Sequence, residues 1–121
     1  MKTALLLPLL ASLGASPASS LLAASSTPSP SPRPVLLVIA NQDFFYREYS
    51  ETRRSLEASG LAVQVAAPTT LRCTPAPGTG QPAGGDGGVT PNLTVARARA
   101  SDYSAIVFVG GWGSSMYQYA F

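Results

Sequence analysis

The chain has 121 residues, 8 Lys+Arg against 6 Asp+Glu, a formal net charge of +2, one cysteine and no histidine. So small and scattered a basic excess leaves no nucleic-acid footprint. The same counts exclude an intrachain disulfide, a histidine general base, the commonest zinc ligand, and any Ser or Cys triad completed by an imidazole of this chain.

The opening residues "MKTALLLPLLASLGASPASS" combine a positive head at Lys2, an apolar body and small residues around Ser16 to Ala18. That is the pattern of an export signal over residues 1–18, cut after Ala18, and it predicts a secreted or periplasmic protein. The apolar body falls short of the roughly 20 residues that span a bilayer and is interrupted by Pro8, so no stable membrane anchor is expected. An organelle transit peptide is the alternative. The absence of acidic residues before Asp43 favours it, and the absence of arginine before Arg33 disfavours it. Residues 19–34 include "TPSPSPRP", where alternating Ser and Pro predict an extended, solvated linker.

Folding is expected from residue 35 to residue 121. "VLLVIA" (Val35 to Ala40) is a continuous apolar, β-branched run, the pattern of a parallel strand buried on both faces. "NQDFFYREYSETRRSLEASG" reads as a helix, with Asp43 as its cap, Tyr49 and Leu56 two turns apart on one face, and Gly60 as a left-handed stop. "LAVQVAA" reads as a second strand, which completes a βαβ unit. From Pro68 to Gly88 the chain is too rich in Pro and Gly for regular structure and is expected to be a long surface loop. A short strand at Val89 and a weak helical turn after Asn92 follow. "AIVFV" (Ala105 to Val109) is then a third fully buried strand. This order is that of a doubly wound α/β sheet in its first half.

Ligands of open α/β sheets bind beyond the carboxyl ends of the strands, which selects the loops Asn41 to Glu48 and Gly110 to Ser115. Gly110 and Gly111 can turn sharply and present amides without a Cβ in the way, as an oxyanion hole requires, or can serve the turn alone. Gly111-Trp112-Gly113 is no dinucleotide fingerprint, because Met116 stands where the third glycine belongs. The glycines from Gly78 to Gly88 lack a following Gly-Lys-Ser/Thr, and neither Ser114 nor Ser115 sits in a Gly-x-Ser-x-Gly elbow. No cofactor and no metal site is read. Glu48 is either a surface helix carboxylate or a functional one placed at the sheet's active edge. Cys73 reads as inert, with Arg72 beside it as the one feature that could activate it. Asn92-Leu93-Thr94 is a glycosylation sequon.

The segments "VLLVIANQDFFYREYSETRRSLEASGLAVQVAAP" and "SDYSAIVFVGGWGSSMYQY" together resemble the amino-terminal half of the ThiJ/PfpI family, in the class I glutamine amidotransferase-like superfamily. The resemblance implies a flavodoxin-like sheet, here in incomplete form, and commonly a homodimer. It also implies a nucleophilic cysteine on a strand-to-helix turn, acting on a small-molecule or peptide carbonyl or amide in protease, amidase, glyoxalase or deglycase chemistry. By it, Glu48 matches the glutamate that hydrogen-bonds that cysteine, and Gly110-Gly111 match the loop whose amides face the reacting carbonyl. In the family the cysteine follows a further helix and strand beyond the Gly-Gly loop, and Cys73 does not match it. The expectation is therefore a truncated domain over residues 35–121, inactive alone. The alternative is a non-catalytic binding or assembly module completed by dimerisation or by a partner chain through its edge strand.

Overall fold

The computed structural model describes Gly14 and residues 27–118. Apart from Gly14, the expected export signal and the start of the linker lie outside the described residues; from Thr27 to Pro34 the linker carries no helix or strand. Its end is tied down. Arg33 Nη1 donates to the Ser101 carbonyl (2.7 Å), and the Pro34 carbonyl accepts the Ser104 amide (2.9 Å).

The centre of the molecule is β1 (Val35–Val38), whose four side chains are at most 2% exposed. A continuous apolar run suits this position because both faces of the strand are covered. It pairs in parallel with β3 (Val63–Ala67), Val35 opposite Val63, and on its other side with β6 (Ala105–Phe108), Val35 opposite Ala105. β5 (Leu93–Thr94) adds two residues beyond β3, so the sheet order is β5-β3-β1-β6. β2 (Gln42–Phe44) and β4 (Thr74–Pro75) form a separate parallel pair. The helix α1 (Tyr46–Ala58) crosses from β1 to β3 and packs on both. It buries Tyr49, whose ring meets Phe44 edge-on at 5.7 Å. Two 3-10 turns (Val95–Arg97 and Ala100–Asp102) lead into β6; a third (Trp112–Ser114) leads into the single-turn α2 (Ser115–Gln118).

Gly60 stops α1 as expected: at φ 79° it lets its own amide reach Glu57 O and the Leu61 amide reach Leu56 O. The start of the helix differs from expectation. Residues 42–44 are strand rather than helix, Asp43 lies at φ 58°, and no side chain caps the position before Tyr46. The cap comes instead from the long loop, where Thr79 Oγ1 accepts the Tyr46 amide (3.1 Å) and the Thr79 carbonyl accepts the Arg47 amide (2.9 Å). These are two of the donors a helix start leaves orphaned, satisfied from more than thirty residues away.

The Pro68–Gly88 loop is also more ordered than its composition predicts. It contains β4, and Cys73 and Val89 exchange both backbone hydrogen bonds (2.7 and 2.9 Å), so the short strand expected at Val89 is a single bridge. After Asn92 there is a two-residue strand and then a 3-10 turn. β6 forms where expected but is not fully buried: Ile106 is 37% and Phe108 49% exposed. It stands at the end of the strand order while α1 covers β1 and β3, so the apolar pattern marks a face that the described residues leave partly open.

Candidate functional site

β1 and β6 run side by side and end together, with Val38 opposite Phe108 and the Val109 amide donating to the Val38 carbonyl (2.9 Å). Each then turns at the same edge of the sheet. One chain passes through Asn41 and β2 into α1; the other enters Gly110–Gly113. The Phe45 amide donates to the Gly110 carbonyl (2.8 Å), and the Gly110 amide donates to Glu48 Oε1 (3.1 Å) from the first turn of α1. The three residues singled out from sequence thus meet at one edge: Glu48 and Gly110 are bonded directly, and Gly111 is next in the chain.

Two features modify the expected roles. The Gly110 amide is engaged by Glu48, so among the two glycines only the Gly111 amide is without a hydrogen bond among the described residues. Glycine at these positions also has a packing reason. Gly111, at φ 123°, lies so close to β2 that a Cβ would sit 2.5 Å from the Asp43 carbonyl oxygen and 2.7 Å from the Phe45 nitrogen, and a Cβ on Gly113 would strike the Gln42 carbonyl. At Gly110 a Cβ would come within 3.0 Å of Glu48 Oε2. Backbone lies on backbone here, which only glycine permits.

Beside Gly111 is a cavity of about 250 Å³ walled by Phe45, Ala76, Pro77, Thr79 and Trp112, the last 89% exposed. The edge therefore offers an exposed carboxylate fixed through one oxygen, a glycine amide, and an apolar recess. Chemically, that set offers a carboxylate acceptor at Glu48 and an amide that can receive negative charge; it holds no nucleophile of its own.

Cys73 does not supply one. Its side chain is fully buried, Asn41 Nδ2 donates to the sulfur (3.4 Å), and the thiol faces the Leu71 carbonyl (3.6 Å). Burial pushes the thiol pKa up to about 11, only partly offset by the Asn41 hydrogen bond. Arg72 does not activate it, since its guanidinium is forked onto Asp86 (2.8 and 2.5 Å).

Asn41 itself carries more than its sequence context signals. It is 9% exposed, donates to the carbonyls of Thr69 (3.4 Å) and Leu71 (3.1 Å), and accepts the Thr69 amide (3.0 Å). It fastens the end of β1 to the loop after β3, and the only local sign is an asparagine directly after an apolar run. Asn92 of the sequon also holds the sheet together. Its Oδ1 accepts the Val65 amide (2.7 Å), and its own backbone amide donates to the Val65 carbonyl (2.8 Å). Among the described residues there is no group of three or more His, Cys, Asp or Glu able to hold a metal, and no helix long and apolar enough to cross a membrane.

No protein-family model matches the sequence, and no curated protein matches it. Solved structures do. A ThiJ/PfpI domain protein from Brachyspira murdochii superposes with a TM-score of 0.57 at 24% identity, over 68% of this chain and 43% of that one. The chain has a ThiJ/PfpI-type fold. A DJ-1 superfamily protein from Agrobacterium tumefaciens superposes with a TM-score of 0.51 at 23% identity, over 64% of this chain and 37% of that one. This chain thus spans less than half the length of either structure. The four-stranded parallel sheet with its crossover helix fits an incomplete flavodoxin-like fold of the ThiJ/PfpI type.

Proposed function

We propose that this chain forms the glutamate and glycine-loop side of a ThiJ/PfpI-like site in an exported protein that acts on carbonyl or amide substrates. The nucleophilic cysteine of such a site is supplied from outside these 121 residues. The observation that carries the reading is the Gly110 amide donating to Glu48 Oε1 at 3.1 Å, across 62 residues of sequence, at the carboxyl end of β1 and β6. One carboxylate oxygen is fixed by that amide, which leaves Oε2 to share a proton with a thiol brought against it. The shared proton holds the sulfur anionic, and the Gly111 amide is placed to receive the charge that develops on a carbonyl under attack. With its sole cysteine buried and neutral at physiological pH, the chain is inactive alone.

A second reading is favoured by the exposure of Ile106 and Phe108 on β6 and of Trp112 and Met116 beyond it. In it the chain is a non-catalytic module whose sheet is covered by another copy or by a partner chain. The two readings separate on reaction with a thiol reagent. In the catalytic reading, the native protein with its accompanying chains contains a cysteine other than Cys73 that is alkylated rapidly at pH 7. A native protein whose only thiol is Cys73, together with a stable dimer, selects the assembly reading.

A further inference from the structure

A second and larger cavity, about 480 Å³, lies away from Glu48 between α1 and the loop Pro82–Val89. Three arginines, Arg53, Arg54 and Arg72, and two carboxylates, Glu57 and Asp86, line it. The cations outnumber the anions, and two of them are held in place. Arg53 donates through Nε to Glu57 Oε1 (2.8 Å) and through Nη1 to Tyr49 Oη (2.7 Å), and Arg72 is forked onto Asp86. The Arg54 side chain has no hydrogen bond or ion pair among the described residues.

The loop is shaped around these side chains. A Cβ on Gly88 would fall inside the Arg72 guanidinium, and one on Gly87, at φ 71°, would come within 2.7 Å of the Tyr46 ring. Glycine at both positions lets Arg72 and Tyr46 lie directly on the loop backbone as walls of the cavity. Asp86 Oδ1 also accepts the Gly88 amide (2.9 Å), so the carboxylate that orients Arg72 is itself fixed by the turn. The glycine-rich segment is therefore a built wall, and the guanidiniums around the cavity keep N–H donors that no acceptor among the described residues occupies.

We propose that this cavity binds a small oxyanion-bearing ligand, with Arg54 as the free cation that engages it and Arg53 and Arg72 as fixed cationic walls. Planar guanidinium groups match phosphate and carboxylate oxygens with paired N–H donors, which makes phosphate or carboxylate the shared recognition chemistry. The site is open and partly solvated, so binding weakens as salt is added.

The test is a chemical-shift titration of the isotope-labelled full chain with inorganic phosphate and, separately, with acetate. Saturable shifts confined to the segments around residues 53–57, 72 and 85–89 are expected with at least one of them, and the tighter of the two identifies the ligand's acidic group. Arg54→Gln should weaken that binding about tenfold, the loss of one charged hydrogen-bonding partner, and Arg54→Lys should restore part of it. Glu48→Gln should leave it unchanged, which separates this site from the sheet-edge site. Absence of saturable shifts with both anions, or equal affinity in Arg54→Gln, would overturn the proposal.

Discussion

At Cys73 the geometry decides between an inert and a reactive thiol. Its pKa is raised from 9.0 to about 11 because burial disfavours the thiolate. The unfolded chain ionises first as pH rises, so the stability this residue confers is fully present below pH 9 and is lost between pH 9 and about 11. Alkylation of the folded protein at pH 8 should be about a hundredfold slower than in denaturant, because far less of the buried thiol is ionised; equal rates would show that the thiol is accessible. Asn41 makes the complementary case for a buried polar side chain. Asn41→Ala leaves the Thr69 amide and two carbonyls without their partner and should cost about 2–3 kcal/mol in chemical denaturation. A loss under about 0.5 kcal/mol would mean that water replaces the amide without penalty.

The glycines separate conformational cost from steric cost. Gly60 ends α1 at φ 79°, and a methyl group added there would meet nothing within 4 Å, so Gly60→Ala should cost about 1 kcal/mol from backbone strain alone. Gly113→Ala drives a methyl group into the Gln42 carbonyl and should cost about 3 kcal/mol or shift the loop off β2. Thermal melts of the two variants side by side would check the ranking, and a larger loss at Gly60 would contradict it.

Among the elements, those whose reasons are local were legible in the sequence: the buried run of β1, the helical spacing of Tyr49 and Leu56 on α1, the Gly60 stop, and the position of β6. The missed features depend on distant partners. Asp43 has the chemistry of a cap yet sits in left-handed backbone within β2, because Thr79 already meets the helix amides. The Pro- and Gly-rich loop has poor intrinsic propensities, but Thr79, Gln81 and the Cys73–Val89 bridge order it. For β6, an apolar run states that a strand tolerates burial on both faces; it does not state what covers it. At the sheet edge, strand ends pointed to the loops that hold Glu48 and the two glycines and the resemblance gave these residues their expected roles, whereas the Gly110–Glu48 hydrogen bond and the close approach of Gly111 to β2 required the fold.

For the whole molecule, the parallel sheet brings two loops far apart in sequence to one edge and joins them through the Phe45–Gly110 backbone hydrogen bond and the Gly110–Glu48 carboxylate–amide bond. The ThiJ/PfpI-type architecture explains that convergence: β1 and β6 are adjacent and parallel, so the segments after them emerge together. In the proposed function, this edge acts only when a nucleophile is delivered to Glu48. The most direct measurement is the alkylation rate of each thiol in the native protein and its accompanying chains at pH 7, by mass spectrometry, with and without Glu48→Gln. A cysteine other than Cys73 that labels fast, and about tenfold more slowly once residue 48 has no carboxyl to share a proton with the sulfur, is the predicted result. Labelling confined to Cys73, or a fast thiol indifferent to Glu48→Gln, would contradict it.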